Sequence, residues 1–346
     1  MMQTLVLPRF DDMHTHVRDN VFLTRTVRDI AAWAGRAVIM PNLVPAIDTI
    51  SAVEQYRRRI EAHLPPESEF TPLMTLYLSA NLTIDSIQQA KNAGVVAVKW
   101  YPKGATTHSA QGIAQIHAFY PLLEAMQKAG LLLLIHGEVT DDDIDIFDRE
   151  AVFIDRVLEP LRRDFPQLKM VLEHITTAAA VDYVMHAACN LAATITPQHL
   201  LYNRNQLLVG GLKPHYYCLP ILKTERDRKR LLEAAISGDP RFFLGTDSAP
   251  HLRTQKECSC GCAGCYSAFH APALYATIFE RAGALPRLHD FACRFGADYY
   301  GLPYNNGSIC LQRQECIVPD VLSYGEGELV PLSAGMSLPW TLADKN

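Results

Sequence analysis

The sequence lacks the features that mark membrane and secreted proteins. No apolar run approaches the roughly 20 residues that a membrane-spanning helix needs. The N-terminal stretch Met1-Met2-Gln3-Thr4 has no basic segment followed by an apolar one, so we expect no secretory signal peptide. The sequence therefore predicts a cytoplasmic protein without a membrane partner.

The chain also lacks an excess of positive charge and a cysteine framework. Its net charge of −5 gives no reason to expect nucleic acid as a partner. Its nine cysteines are an odd number scattered over 346 residues, which indicates reduced thiols rather than disulfide bonds. The hydrophobic fraction of 49% and the charged fraction of 20% are typical of a globular protein.

What the chain does contain is an alternation of short apolar runs and longer amphipathic stretches. The apolar runs predict eight buried strands, at residues 5–7, 37–40, 73–78, 95–100, 131–135, 170–172, 191–195 and 242–244. The amphipathic stretches predict helices at residues 22–34, 49–63, 84–93, 113–129, 148–161, 177–188, 226–237 and 267–282.

This alternation predicts a parallel sheet with helices around it. The predicted strand ends at His14 and Asp247 enclose seven repeats of about 33 residues each, the size of a βα unit in a (β/α)₈ TIM-type barrel. A doubly wound open sheet is the alternative, but no glycine-rich phosphate loop follows the first strand. We expect one domain over residues 1–346, with the tail from about residue 302 packed on the barrel.

Metal-binding side chains stand at the ends of the predicted strands, and in a barrel of this type those ends meet at one mouth. Histidines two residues apart on a strand point to the same side. Four imidazoles and a carboxylate at one mouth predict a site for zinc or a similar ion. Any single member has a simpler explanation, such as a helix cap, but their joint occurrence favours a metal. The residues are His14, His16, Lys99, His136, His174 and Asp247.

Lys99 is the unusual member of this set because it closes the apolar run at residues 95–98. One explanation is a lysine that pairs with a nearby acid or extends to solvent. A buried ammonium beside divalent cations would lose its proton, however, because burial and like charges lower its pKa. A neutral amine can add CO₂, and the resulting carbamate could bridge two metal ions.

These residues, with the segments around them, resemble the short bacterial-type (class II) dihydroorotases of the amidohydrolase superfamily. The resemblance spans residues 5 to about 300. It rests on these segments: His14-Thr15-His16-Val17-Arg18, Met40-Pro41-Asn42, Val98-Lys99-Trp100-Tyr101-Pro102, Gly104-Ala105-Thr106-Thr107, His136-Gly137-Glu138, Glu173-His174-Ile175-Thr176-Thr177, Thr196-Pro197-Gln198-His199-Leu200 and Gly245-Thr246-Asp247-Ser248-Ala249-Pro250-His251.

The resemblance implies a hydrolase with two Zn²⁺ ions bridged by N6-carboxylated Lys99 and a hydroxide. His14, His16 and Asp247 would hold the more buried ion, and His136 and His174 the other. The implied reaction is the reversible cyclisation of N-carbamoyl-L-aspartate to L-dihydroorotate and water, in de novo pyrimidine (UMP) biosynthesis. A homodimer is also implied.

The resemblance further assigns substrate contacts. Arg18, Asn42 and His251, helped by the main chain of Ala263, would bind the substrate carboxylate, while His136 is implied as both a metal ligand and a substrate contact. Leu219 would contact the ring amide through its main chain, and Thr106 and Thr107 would belong to a flexible loop that closes over the substrate.

The implied catalytic residue is Asp247. Two metal ions lower the pKa of a bridging water enough to supply hydroxide near neutral pH. Asp247 would then take the proton and return it to the departing amide nitrogen.

Two rival functions share parts of this pattern. A hydantoinase or allantoinase of the same superfamily would keep the metal ligands but not the carboxylate clamp of Arg18, Asn42 and His251. A non-catalytic barrel is the other, and the complete set of ligands argues against it.

Four cysteines within residues 258–265 suggest a structural zinc or redox site, but their spacing lacks the two separated pairs of a zinc knuckle. The remaining histidines of interest are expected to be structural or surface groups; these are His108, His199, His215 and His270.

Overall fold

The computed structural model describes residues 3–113 and 115–343. Eight of its strands, β2 to β9, form one parallel sheet in sequence order, which confirms the (β/α)₈ barrel. In chain order the strands are β1 (Thr4–Pro8), β2 (Phe10–Thr15), β3 (Ala34–Ile39), β4 (Thr71–Tyr77), β5 (Ala97–Trp100), β6 (Leu132–His136), β7 (Met170–Glu173), β8 (Leu191–Ile195), β9 (Phe242–Leu244), β10 (Ser308–Gln312), β11 (Cys316–Ile317), β12 (Leu322–Tyr324), β13 (Gly327–Leu329), β14 (Ser337–Leu338) and β15 (Thr341–Leu342).

Helices follow the barrel strands and pack around them. The threonines Thr49, Thr83 and Thr177 cap three of these helices by accepting a hydrogen bond from a first-turn amide. The α-helices are α1 (Leu23–Ala31), α2 (Ile50–Glu61), α3 (Ile84–Asn92), α4 (Tyr120–Ala129), α5 (Arg149–Phe153), α6 (Glu159–Asp164), α7 (Ala178–His186), α8 (Pro197–Leu201), α9 (Arg204–Leu208), α10 (Glu225–Ile236), α11 (Arg253–Lys256), α12 (Ala271–Arg281), α13 (Leu288–Cys293) and α14 (Phe295–Tyr300).

The barrel closes along a seam between its first and last strands. The amide of His16 donates to the carbonyl of Ser248 at 3.0 Å, and the amide of Asp247 donates to the carbonyl of His14 at 2.9 Å. The seam therefore brings His16 beside Asp247, although the two lie 231 positions apart in the sequence.

The sequence-based assignment of the first barrel strand to residues 5–7 is wrong. Those residues lie in β1, which pairs antiparallel with β10 outside the barrel. The true first strand, β2, is buried throughout but contains Asp11 and Asp12, so it does not read as an apolar run. Both carboxylates are paired: Asp11 binds Arg36, and Asp12 accepts hydrogen bonds from the amide and hydroxyl of Thr246.

Other boundaries also differ from the prediction. The helix predicted from residue 113 starts later, with a 3₁₀ turn at Ile116–Phe119, because the amide of Ile113 donates to the carbonyl of Tyr101. A π-helical turn, Ile154–Leu158, joins α5 to α6. Helix α1 ends before Ala34, which already belongs to β3.

Helices α13 and α14 have no counterpart in the sequence-based assignment. Helix α14 closes the end of the barrel opposite the strand C-termini, where Phe295, Tyr299 and Tyr300 pack on the inward-facing side chains Met13 and Phe243. Gly296 lies so close to Met13 that an added Cβ would stand 2.6 Å from its Cε. The described helices include none with the length and apolar content that a bilayer crossing requires.

A buried ion pair ties the barrel to the segment after α14. Arg36 on β3 donates from Nε and Nη2 to the two oxygens of Asp11 at 2.9 and 2.8 Å, and from Nη1 to the carbonyl of Pro303 at 2.6 Å. Asn305 Nδ2 also donates to Asp11, at 2.8 Å. This cluster lies at the barrel end that α14 closes, away from the strand C-termini.

Replacing Arg36 by Met should lower the free energy of unfolding by about 3 kcal/mol, because a buried carboxylate loses its paired cation. The urea midpoint of the purified protein measures this. Arg230→Met is the control, since Arg230 pairs with Asp182 on an exposed surface and should cost at most about 1 kcal/mol. Equal midpoints for the two variants would contradict the role given to the buried pair.

Candidate active site

The six predicted metal-binding residues all lie at the C-terminal ends of barrel strands. His14 lies in β2, with His16 just beyond it. Lys99 lies in β5 and His136 ends β6. His174 follows β7, and Asp247 follows β9 after Gly245 and Thr246. All six side chains are buried. The structure thus brings together at one mouth the residues that the sequence placed on separate strands.

The backbone at two of these positions, and at Arg18, adopts the left-handed conformation that non-glycine residues seldom take. The φ angles are +60° at Arg18 and +44° at both His174 and Asp247. His174 directly follows β7, Asp247 is the third residue after β9, and Arg18 lies two residues after His16. Strained backbone of this kind clusters at functional sites, and here it accompanies side chains that face the mouth.

Three donor atoms lie close enough to share one ion. His16 Nε2 is 3.0 Å from Asp247 Oδ1, His14 Nε2 is 3.2 Å from the same oxygen, and the two Nε2 atoms are 3.4 Å apart. Two ligands of a tetrahedral zinc ion, each about 2.1 Å from the metal, stand roughly 3.4 Å apart. The spacing of His14, His16 and Asp247 therefore fits a divalent cation.

A second histidine pair stands beside this group. The ring of His174 lies 5.0 Å from that of His14 and 4.8 Å from that of His136, measured between centroids. The Nδ1 atom of His174 is buried and has no hydrogen-bond partner in the described chain. Donor atoms of His14, Glu173 and His174 form a second group near enough for one ion.

Lys99 is completely buried, and its Nζ pairs with Glu173 Oε2. The same ammonium lies 4.8 Å from the centroid of the Tyr101 ring. Burial lowers the pKa of Lys99, and the carboxylates of Glu173 and Asp247 act in the opposite direction. The shift is in the direction that the sequence analysis expected, toward an amine that gives up its proton more readily.

Two buried glutamates were present in the sequence motifs but received no role. Glu173 Oε1 lies 2.9 Å from His14 Nδ1 without the alignment of a hydrogen bond. Glu138 Oε2 lies 2.7 Å from His136 Nε2, which leaves Nδ1 as the free ring nitrogen. Carboxylates behind ligating histidines orient the ring and raise its basicity. The sequence signal was an acidic residue within two positions of a strand-end histidine.

The pKa values of the buried histidines and of Asp247 also favour a cation at this site. Burial lowers the pKa of His16 to about 4 and holds that of His174 well below its usual range, so both rings are neutral. Burial opposes charge on His14 too, but Glu173 and Asp247 outweigh it and raise its pKa to about 9. Burial acts to raise the pKa of Asp247, yet His14 and His16 keep it well below its ordinary value. A positive charge is therefore favoured between these carboxylates.

A cationic and polar wall lies beside the donor atoms. Arg18 donates from Nε to the carbonyl of Pro250 at 3.1 Å, and its Nη2 lies 3.0 Å from His251 Nε2. The Nη1 atom of Arg18 is buried without a partner among the described residues. His251 Nε2 also lies 3.0 Å from the carbonyl of Ala263. Burial and the charge of Arg18 hold the pKa of His251 well below its usual range.

The loop of Thr106 and Thr107 covers this wall. Asn42 Nδ2 donates to the carbonyl of Thr107 at 3.2 Å, and Thr107 Oγ1 donates to the carbonyl of Ala263 at 3.3 Å. A small recess lies beneath this loop, against the donor atoms. Its lining contains most of the predicted site residues: His14, His16, Arg18, Asn42, Thr106, Thr107, His136, His174, Leu219, Asp247 and Ala263.

The cysteine cluster does not form a ready ion site. Cys258 Sγ and Cys260 Sγ are 3.3 Å apart and exposed, whereas Cys265 is buried. Within the described residues, the groups of three donor atoms near enough for one ion contain no cysteine.

The four histidines that were expected to be structural or surface groups each have a partner outside the donor set. Their partners are the carbonyl of Asn42 for His108, Thr196 and the carbonyl of Pro220 for His199, Glu257 for His215, and the carbonyl of Leu332 for His270.

The chain is similar to known proteins of one family. The profile of the amidohydrolase family matches residues 5–321. A dihydroorotase from Teredinibacter turnerae is 56% identical over 340 residues, covering 98% of this chain and 99% of the relative.

Two solved structures resemble this one over nearly the full length. A dihydroorotase from Saccharomyces cerevisiae in complex with 5-fluoroorotic acid has a TM-score of 0.91 and 35% identity, covering 99% of this chain and 98% of that one. A dihydroorotase from Campylobacter jejuni has a TM-score of 0.92 and 33% identity, with the same coverage. With its strand-end histidines, lysine and aspartate gathered at one barrel mouth, the chain belongs to the amidohydrolase family and, within it, to the dihydroorotases.

Proposed function

We propose that this protein catalyses the reversible cyclisation of N-carbamoyl-L-aspartate to L-dihydroorotate and water, the dihydroorotase step of de novo pyrimidine biosynthesis. The observation that carries the proposal is the pair Arg18 and His251, 3.0 Å apart, at the rim of the buried donor set. A guanidinium there can bind a carboxylate while the amide carbonyl of the same small ring reaches the donor atoms.

We further propose that the donor set holds two zinc ions. His14, His16 and Asp247 would hold one, His136 and His174 the other, and N6-carboxylated Lys99 would join them. When bound, such ions polarise a carbonyl and lower the pKa of water. The burial of Lys99 supports this, because burial favours the neutral amine that reacts with CO₂.

The chain's own residues would carry the remaining chemistry. Arg18, Asn42 and His251, helped by the main chain of Ala263, would fix the carboxylate on the ring, and the main chain of Leu219 would contact the ring amide. Asp247 would take a proton from the attacking water and donate it to the ring nitrogen as the carbon–nitrogen bond breaks. The loop of Thr106 and Thr107 would exclude bulk water.

A homodimer and a cytoplasmic location complete the proposal. The nine free thiols are compatible with a reducing compartment. Sedimentation of the purified protein tests the dimer.

The purified protein should hydrolyse dihydroorotate and cyclise carbamoyl aspartate, with little turnover of hydantoin or allantoin. Those rings have no carboxylate for Arg18 and His251 to bind, which is the physical reason for the preference. Ultraviolet absorbance of the ring amide follows each reaction, and elemental analysis should give about two zinc ions per chain. Faster turnover of hydantoin would favour the rival cyclic-amide hydrolase, and no turnover of any ring would favour a non-catalytic barrel.

Replacing Lys99 by Ala should remove most bound metal and most activity, because the bridging group is lost. Short carboxylic acids such as acetate and propionate should restore part of both by entering the space left behind. Lys99→Gln is the matched control: it fills that space and cannot form a carbamate, so the same acids should not rescue it. Full activity of either variant without added acid would refute the bridge.

Replacing Arg18 by Met should raise the KM for dihydroorotate by about 30-fold or more, since charge-assisted hydrogen bonds to a carboxylate are lost. Metal content should stay at the wild-type value, because Arg18 is not among the donor residues. Arg25→Met on α1 is the control, because Arg25 pairs with Asp29, lies over the Phe269 ring and does not line the recess. Loss of metal from Arg18→Met would show that Arg18 supports the donor set instead of the substrate.

A further inference from the structure

A buried lysine outside the donor set holds two parts of the recess wall together. Lys256, at the end of α11, is only 4% exposed. Its ammonium donates to the carbonyls of Tyr217 at 2.8 Å, Cys262 at 3.0 Å and Gly264 at 2.6 Å. An ammonium has three N–H donors, so each of them has a main-chain partner.

The buried ammonium of Lys256 is stabilised without a carboxylate partner among the described residues. In the part of the chain that the structure describes, no carboxylate lies within ion-pair distance of Lys256. The ring of Tyr217 lies 5.9 Å from the ammonium, and the three hydrogen bonds of the ammonium go to main-chain carbonyl oxygens. Placing a cation there without a counter-ion costs free energy, so a residue that merely filled the space would better be apolar.

Two of the three carbonyls that Lys256 binds, those of Cys262 and Gly264, stand on either side of Ala263. In the trans peptide between Cys262 and Ala263, the N–H points opposite to the carbonyl, so the Ala263 N–H is directed away from the ammonium. The Ala263 carbonyl is directed in turn toward His251 and Thr107, while the Gly264 amide donates to the carbonyl of Tyr217 at 2.9 Å. Both peptide planes at Ala263 are thereby fixed.

The segment has no room to shift toward the barrel. A Cβ on Gly264 would stand 2.6 Å from the carbonyl oxygen of Ala249 and 3.0 Å from His251 Cδ2. The amide of Ala249 donates to the carbonyl of Cys265 at 2.8 Å. The segment around Ala263 is therefore held between Ala249 on one side and the ammonium of Lys256 on the other.

We propose that Lys256 is a positioning residue for substrate binding, which holds the main chain at Ala263 against the segment that leads from Tyr217 to Leu219. The inference rests on the proposed function, in which Ala263 and Leu219 contact the substrate through their backbones. Lys256 acts through these segments and does not itself touch the substrate. Its removal therefore weakens binding of substrate and transition state alike, which raises KM more than it lowers kcat.

The test compares Lys256→Met, which keeps the length and removes all donors, with Lys256→Gln, which keeps two donors and removes the charge. Lys169→Met is the matched control, because Lys169 also donates to a main-chain carbonyl, that of Tyr299, but at the opposite end of the barrel. Each protein is prepared as the metal-loaded enzyme, and KM and kcat for dihydroorotate are measured with metal content and thermal midpoint.

We expect Lys256→Met to raise KM about tenfold or more, with kcat within about threefold of wild type and unchanged metal content. Lys256→Gln should give an intermediate KM. If the Met variant does not fold, the KM of the Gln variant is the measurement that tests the proposal. The control should match wild type.

Several outcomes would overturn the assignment. A KM within twofold of wild type for the folded variants would do so. A Gln variant as impaired as the Met variant would assign Lys256 a long-range electrostatic effect instead. A parallel fall in kcat, metal content and thermal midpoint would assign it a purely structural role. Absence of turnover in the wild-type enzyme would contradict the proposed function, and the role of Lys256 that rests on it.

Discussion

The structure depends on the balance of buried charges at the barrel mouth. Lys99, Glu173, His14 and Asp247 form a continuous chain of contacts, and all four side chains are buried. None could stay charged there alone, because an isolated buried ion is costly. The eight strands hold these groups in a fixed arrangement, so any ion that enters meets ligands already in place. The barrel therefore stabilises a cluster of buried charged side chains that would be unfavourable without it.

The overall fold could be predicted because most barrel strands are buried on both faces. Such strands read as short apolar runs, and the regular spacing of those runs indicated a parallel barrel. The first barrel strand was placed too early, at residues 5–7, because Asp11 and Asp12 interrupt the apolar character of β2. The side chains that stabilise these two carboxylates, Arg36 and Thr246, lie far away in the sequence. Helix α14 was also missed, because its role is to close the base of the barrel, which local periodicity does not reveal.

The residues of the candidate site also fall into those that the sequence could predict and those that it could not. The donor residues were predictable because each follows an apolar run, and a barrel makes strand ends converge. Glu138 and Glu173 received no role, because one acidic residue beside a histidine gives no indication of which atoms it contacts. Lys256 gave no signal at all. Its importance comes from three carbonyl groups belonging to two separate segments, and hydrogen bonds to backbone carbonyls leave no trace in side-chain identity.

The seam between β2 and β9 has a consequence for how the chain is made. A nascent chain leaving the ribosome exposes β2 early, yet the partner edge of that strand exists only after Ser248 has emerged. Throughout that interval the growing sheet presents two unpaired edges, the kind of surface that invites aggregation. The aspartates within β2 make its early exposure less hazardous, since a charged strand is a poor template for pairing with other chains.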